Sequence, residues 1–302
     1  MENVKFEDLP ARPEADQAAF FQACDEFAEE ALIKSERVTV TLRVAGGLMQ
    51  IDFAGPALAE LMLGALAHLF VETDEAPDIR LKVYDTRSTG VGFPEMPVRR
   101  NCLTDRGDIW SFNSKRYLSA FHWLESSVSV MDVSTGDAVF YINQADDLPY
   151  WTKASPFRTI FHWWMMQRGA QLIHAAGIGY EDGAVLITGK GGVGKSTTSL
   201  AAIEHGMSYV ADDYLVVSLD DGPKVHSLYN TAKLNPDQVA RFPDLAGLIR
   251  TSFEADEKAV ISLYPDRKDQ ILSSLPIKAV LSPSFGESAE TSFEGISAAD
   301  LF

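Results

Sequence analysis

Cysteine is nearly absent. The 302-residue chain has only Cys24 and Cys102, far apart in sequence. Two such residues build neither a disulfide framework nor a zinc-ligand spacing. They read as the reduced thiols of a cytosolic chain. Basic residues are also scarce: 26 Lys and Arg face 43 Asp and Glu, a formal net charge of −17. A field of that sign repels polyanions, which excludes broad nucleic-acid binding and disfavours docking on anionic lipid. It leaves room for a local anion site made of backbone N–H groups. Long apolar runs are missing too. The most apolar stretch, Pro56 to Phe70, is about 15 residues and carries Glu60 and His68, too short and too polar to span a bilayer. The opening MENVKFEDLPARPEAD lacks the apolar core of a signal peptide. These absences predict a cytoplasmic protein with no nucleic-acid and no membrane partner. There is no internal repeat and no low-complexity tract.

What remains is ordinary globular composition, 46% apolar and 23% charged, ample for a core without covalent staples. The length suggests two domains. After a polar lead over residues 1–12, Pro13 introduces a helix with an acidic outer face. Val38–Val44 and Leu48–Phe53 alternate apolar and polar around Gly46-Gly47, a hairpin pattern. Gly55-Pro56 opens a second helix over LAELMLGALAHLF, and Asp78–Tyr84 reads as a strand. Residues 86–108 have no clear period and read as a loop, and 109–142 as strands joined by short turns. The first half, residues 1–150, is therefore predicted to be an α+β domain with an antiparallel sheet, suited to substrate recognition. A composition shift at Pro149–Pro156 marks the boundary. Beyond it, Phe157–Gly169 reads as a helix whose stripe Phe161, Trp164 and Met165 is core packing. Residues 151–302 then run strand (LIHAAGIGY), strand (AVLIT), Gly-rich loop, helix, strand (SYVA): an α/β phosphate-loop domain. Near the end, ISAADLF reads as an N-cap serine and the start of a helix.

The chemistry is concentrated in AVLITGKGGVGKSTTSL. Gly189, four residues, then Gly194-Lys195-Ser196 complete the pattern G-x-x-x-x-G-K-[ST]. An apolar strand ends at Thr188 and helix-permissive residues begin at Lys195, the context that this motif needs. Gly189, Gly191, Gly192 and Gly194 let consecutive N–H groups turn inward toward phosphate oxygens. The helix start adds its positive dipole end. The nucleotide-binding set is Gly189, Lys190, Gly191, Gly192, Val193, Gly194, Lys195, Ser196 and Thr197. Lys195 reaches the β- and γ-phosphates, and the Ser196 hydroxyl suits Mg²⁺. ATP and Mg²⁺ are thus the expected cofactors.

Two families share this string. The run Lys190 to Ser196, KGGVGKS, is similar to the loop of partition-type ATPases, whose early lysine acts across a dimer. In those proteins the loop opens the chain and the next strand carries an Asp-x-Asp-Pro-Gln type sequence. Here the loop begins at residue 189 and the next strand reads VADDYLVV, so Lys190 reads as a solvated loop lysine or a minor phosphate contact. The stretch His174 to Val217 resembles the HPr kinase/phosphorylase superfamily. Its members carry a histidine on the strand before the loop, then the loop, a helix closed by Gly, and an Ala-Asp-Asp strand end. His174, Lys195, Gly206 and Asp212-Asp213 fall in that order. The separations of 21 residues from His174 to Lys195 and 18 from Lys195 to Asp213 match the family's. A looser likeness to related serine-kinase-like proteins continues through SLYNTAKL and PIKAVLSP.

That resemblance implies catalytic roles for Asp213, His174 and Lys195. Asp213 is the base, His174 tunes it, and Ser196 and, less directly, Asp212 are metal ligands. The implied activity is Mg·ATP-dependent phosphorylation of a hydroxyl, a serine of a peptide or protein, by a chain that forms a homo-oligomer if it follows the family. Two alternatives stay open: a non-catalytic ATP-dependent switch and a small-molecule kinase. The family's second acidic Mg²⁺ ligand falls here on Gln238, beside Asp237, so phosphorylase activity is not implied. Lys233 and Lys258 are candidates for gripping phosphate or substrate, although a surface lysine is the ordinary reading of each.

Overall fold

A computed structural model describes residues 12–97, 103–104, 107–249, 257–286, 291–295 and 297. Cys102, the lead over residues 1–11 and nearly all of the ISAADLF segment lie outside the described residues. The chain divides into two compact units, one of Met1–Gly64 with Phe70–Arg168 and one of Ala65–Leu69 with Gly169–Phe302.

The first unit opens with α1 (Glu14–Lys34), which Pro13 precedes as N-cap. Phe20, Cys24, Ala28, Ala31 and Leu32 recur at three- and four-residue spacing and bury one face in the unit's core. Burial pushes the Cys24 thiol far above its ordinary range, so it is an inert packing residue. Six strands follow: β1 (Arg37–Val44), β2 (Gly47–Ala54), β3 (Ile79–Asp85), β4 (Tyr117–His122), β5 (Ser127–Asp132) and β6 (Asp137–Ile142). Between them lie the helices α2 (Pro56–Met62) and α3 (Thr86–Thr89), and after them α4 (Tyr150–Ala154) and α5 (Arg158–Gln167). The unit's division from the second falls after α5, later than the boundary read near residue 150, because Ile160, Phe161, Trp163, Trp164 and Met165 are all buried.

The β1–β2 turn is Ala45-Gly46, one residue earlier than the glycine pair suggests. Both residues have positive φ, 46° and 79°, the two-residue turn whose twist suits a hairpin. Gly47 is a strand residue paired with Val44. A Cβ there would lie 2.7 Å from Trp164 and 2.9 Å from Asp78, so this glycine makes room for an aromatic ring. The sheet order is β1-β2-β3-β6-β5-β4. Its outer pairs are antiparallel, but β2–β3 and β3–β6 are parallel, which corrects the antiparallel sheet expected. After the hairpin the chain crosses over through α2 and returns in the same direction, and β6 returns beside β3 only after β4 and β5 have been made.

The second unit contains β7 (Gln171–Ile173), β8 (Ala176–Tyr180), β9 (Gly183–Ile187), α6 (Lys195–Glu204), β10 (Ser208–Ala211), β11 (Leu215–Ser218), β12 (Lys224–His226), β13 (Thr231–Leu234), α7 (Pro243–Ala246), β14 (Ala259–Ser262) and β15 (Ser274–Leu281). Seven strands form one sheet in the order β10-β8-β9-β15-β12-β11-β7, and β13–β14 form a separate ribbon. The run LIHAAGIGY, expected as one strand, is broken at His174-Ala175 into β7 and β8. The strand carrying Asp212-Asp213 is broken likewise into β10 and β11. β8 pairs with β10 and β7 with β11, so the two breaks face each other. Ala175, Leu186, Val210, Ala211, Leu215 and Val225 pack between these strands.

The stretch Ala65–Leu69 belongs to this unit through buried polar contacts. His68 Nε2 lies 2.8 Å from Ser227 Oγ and its Nδ1 lies 3.3 Å from Asn230 Nδ2. The Asn230 N–H donates to Ala65 O at 3.0 Å. The helix expected over this stretch ends as α2 at Met62 and continues as a 3-10 helix over Leu63–Leu69. Among the described residues, no helix is long and apolar enough to cross a membrane.

Candidate functional site

The Gly-rich loop joins β9 to α6. β9 is fixed on both sides, antiparallel to β8 and parallel to β15, and the Thr188 N–H donates to Leu281 O at 2.8 Å. Gly194 is the N-cap of α6 with φ 99°, and Gly192 has φ 86°. Both values lie in the left-handed region that side chains resist. A Cβ on Gly191, Gly192 or Gly194 would meet nothing within 4 Å, so these glycines serve backbone shape and close approach rather than packing. Val193 packs over Gly189. Thr197 is half-buried on the first turn of α6, and the Lys190 side chain is exposed.

Lys195 starts α6 and is 7% exposed. Its ammonium donates to Gly189 O at 2.8 Å and Lys190 O at 3.2 Å. A buried lysine ammonium held by two loop carbonyls at the N-terminus of α6, with no carboxylate partner among the described residues, is an arrangement that phosphate oxygens satisfy.

The aspartate pair sits at the break between β10 and β11. β10 runs in the same direction as β9, as expected, but β8 lies between them, so the pair reaches the site from one strand farther out. Asp212 is 1% exposed. Burial pushes its carboxyl up to about 6, against a lowering influence from the nearby Ser196 hydroxyl. No hydrogen bond of normal geometry reaches its Oδ1, and Oδ2 accepts only a long bond, 3.4 Å, from the Lys233 N–H. An orphaned buried carboxylate oxygen costs free energy unless something else binds it. Beside a serine hydroxyl, the donor set suits a hard cation such as Mg²⁺. Among the described residues no group of three or more His, Cys, Asp and Glu is placed to hold a metal.

Asp213 faces different partners. Its backbone has φ 68°, which turns the side chain out of the strand path. His174 Nε2 lies 3.0 Å from Oδ1 and Lys233 Nζ 2.5 Å from Oδ2. Burial works to raise this carboxyl, but the His174 hydrogen bond and the Lys233 ammonium overcome it and hold the group well below the usual carboxylate range. The His174 ring also stacks on Tyr214, with centroids 5.3 Å apart. Its side chain is 47% exposed against 11% for Lys233, so the cluster opens to solvent on the imidazole side.

Lys233 is the participant that the sequence left undecided. It lies on β13, and β13 packs against α6. A lysine at an alternate position of a short strand, next to a helix that leaves the phosphate loop, was the available signal. Lys258, Asp237 and Gln238 are not brought to the cluster by any contact among the described residues. Lys258 and Asp237 are exposed, and Gln238 is bonded to Asp237.

A family model described as "Anion-transporting ATPase" matches residues 183–247. The second unit is a phosphate-loop nucleotide-binding module. No curated protein matches the chain. Among solved structures it is similar to the HPr(Ser) kinase/phosphatase from Coxiella burnetii, at 19% identity over 37% of this chain and with a TM-score of 0.28. The match spans 58% of that protein's chain, less than two thirds of its length.

Proposed function

We propose that this chain is a Mg·ATP-dependent kinase that transfers the γ-phosphate to a hydroxyl, a serine of a peptide or protein, with the first unit selecting the acceptor. The observation that carries this reading is the cluster of His174, Lys233 and Asp213 at the strand break, next to the buried, half-orphaned Asp212. In this reading, ATP lies along the glycine loop with its terminal phosphates on the α6 N-terminus and Lys195. Ser196 and Asp212 would hold Mg²⁺, which when bound neutralises charge on the phosphates. Asp213 receives the proton of the attacking hydroxyl. A carboxylate held so far down its range is a weak base, but phosphoryl transfer rests on positioning and charge neutralisation more than on early proton removal. His174 and Lys233 fix its two oxygens, so its orientation costs nothing at the moment of reaction.

The test is transfer of label from γ-labelled ATP to a library of serine-containing peptides. Asp213→Asn and His174→Ala should each keep nucleotide binding and lose acceptor label. Unchanged labelling in both variants would overturn the reading. A second reading, ATP hydrolysis driving a conformational change, is favoured by the match over residues 183–247. It expects release of inorganic phosphate with no labelled acceptor.

A further inference from the structure

The Lys233 ammonium has more capacity than its partner uses. On β13, Ala232 and Leu234 pack in the core with Leu200 and Ile203 of α6. Successive strand residues face opposite ways, so the lysine between them faces the other side, where the aspartate pair sits. There Lys233 spans both carboxylates. Its backbone N–H donates to Asp212 Oδ2 at 3.4 Å, and its Nζ lies 2.5 Å from Asp213 Oδ2. An ammonium has several N–H donors. Asp213 Oδ2 is its one acceptor among the described residues, and the side chain is largely shielded from water. Asp213 is the better supplied of the two, because His174 also holds its Oδ1 at 3.0 Å. The carboxylate would stay anchored if the ammonium left it.

Charge sets when the ammonium can leave. While Asp213 is ionised, the two charges cancel. When the acceptor hydroxyl attacks, its O–H bond breaks and the proton goes to Asp213. The acceptor oxygen bonds to the γ-phosphorus, and the bond from that phosphorus to the bridging oxygen breaks, with its electron pair leaving on ADP. Asp213 is then a neutral acid. The ammonium beside it becomes a shielded cation without a counterion, which is costly. The transferring phosphoryl group carries the negative charge that the carboxylate has lost. Lys233 is tied to the end of the loop where that group would lie, since the carboxylate that its N–H holds sits beside the Ser196 hydroxyl at the start of α6.

We propose that Lys233 is a catalytic residue whose ammonium passes from Asp213 to the transferring phosphoryl group as the carboxylate's charge is neutralised. The step rests on the kinase reading for its acceptor, but the contact it names is with the phosphoryl group. A cation delivered where charge develops stabilises the transition state more than the bound substrate.

The test compares the whole chain in four forms: unmodified, Lys233→Met, Asp213→Asn and the two substitutions combined. Calorimetry measures the Kd of Mg·ADP alone and of Mg·ADP with aluminium fluoride, a mimic of the phosphoryl group in transfer. Mg·ADP alone should bind all four forms alike. Lys233→Met should weaken the aluminium fluoride complex about 10- to 100-fold, the loss expected for one charge-assisted contact in a shielded site. Asp213→Asn stands in for the neutral acid and frees the ammonium, so its complex should be at least as tight as that of the unmodified chain. Adding Lys233→Met to it should bring the same loss. That pair of forms carries the comparison if Lys233→Met alone fails to fold, because the double variant removes both charges together. Lys233→Arg, which keeps the cation, should recover part of the affinity. A lysine that only orients Asp213 would make no difference once Asp213 is Asn. Equal aluminium fluoride affinities in Asp213→Asn with and without Lys233→Met would therefore overturn the proposal, while labelling of an acceptor by the unmodified chain would still uphold the kinase. Absence of acceptor label with the Lys233 pattern intact would strike the kinase reading and keep the phosphoryl contact.

Discussion

The two units both bury carboxylates, and they treat them in opposite ways. In the first, Asp132 is gripped by Arg116 through Nε and Nη2 at 2.9–3.2 Å and also takes the Ser134 hydroxyl and N–H. Glu125 has a hydroxyl on each oxygen. In the second, Asp212 keeps one oxygen with no partner, one residue before an Asp213 held by two cationic groups. Satisfied buried charges specify a fold and do little else. An unsatisfied one next to a glycine loop is a cost that ligand binding can relieve. The second unit therefore keeps a buried carboxylate oxygen unsatisfied where the first unit satisfies its own.

The largest effect should come from the second unit's cluster. Asp213→Asn is expected to lower phosphoryl transfer by about 10²–10⁴-fold, the usual contribution of a positioned base, with nucleotide affinity unchanged by calorimetry. A comparable loss of affinity would move Asp213 from chemistry to binding and weaken the contrast between the units.

Next comes pH. Burial lowers His68 to about 4, so the unfolded chain binds that proton first. Its contribution to stability is present above about 6.5 and is lost as pH falls through about 4. Asp212, raised to about 6, has the reverse sign, because its contribution is present below the ordinary Asp value and lost as pH rises through about 6. Each is worth about 3 kcal/mol over its window, and between about pH 4 and 6 the two slopes cancel. His226, also lowered by burial, adds to the His68 side, so urea unfolding of the second unit should show only a weak rise of stability with pH there. Asp212→Asn should expose a rise of stability with pH, and His68→Gln a fall. Slopes of the same sign in both variants would contradict the assignment. Asp213 adds a loss only at lower pH, since its depressed carboxyl stabilises above the ordinary Asp range and stops doing so as pH falls below it.

Packing gives a smaller effect. Gly47→Ala places a methyl 2.7 Å from the Trp164 ring, and overpacking of this kind costs about 1–3 kcal/mol. Thermal unfolding should register it in the first unit while the Kd for nucleotide stays put. An equal loss of nucleotide binding would show that the units are not independent. The smallest is Lys82→Met. Lys82 Nζ bridges Asp25 at 2.7 Å and Glu29 at 2.6 Å, but the carboxylates are partly solvated, so a loss of about 1 kcal/mol or less is expected.

Much of the site was legible because it is local. The phosphate loop, its flanking strand and helix, and the spacing of His174 and Asp213 are read along the chain, and short-range sterics at Gly192 and Gly194 dictate the loop's shape. The mixed sheet of the first unit was not legible, since β2 and β6 are buried almost throughout and β3 on most of its length, and an apolar run marks burial but not the direction of a neighbour. The break at His174-Ala175 was hidden as well: LIHAAGIGY has no Pro and no turn pair to mark it, and only pairing with two different strands, β11 and β10, divides it.

The sequence by itself determined the ligand chemistry, because a glycine loop ending in Lys-Ser needs only its own backbone to form a phosphate cradle. Tertiary structure alone decided which charges meet. Lys233 reaches Asp213, and His68 enters a polar cluster 159 residues away, since contacts across such separations depend on strand order and register, which no local pattern of residues encodes.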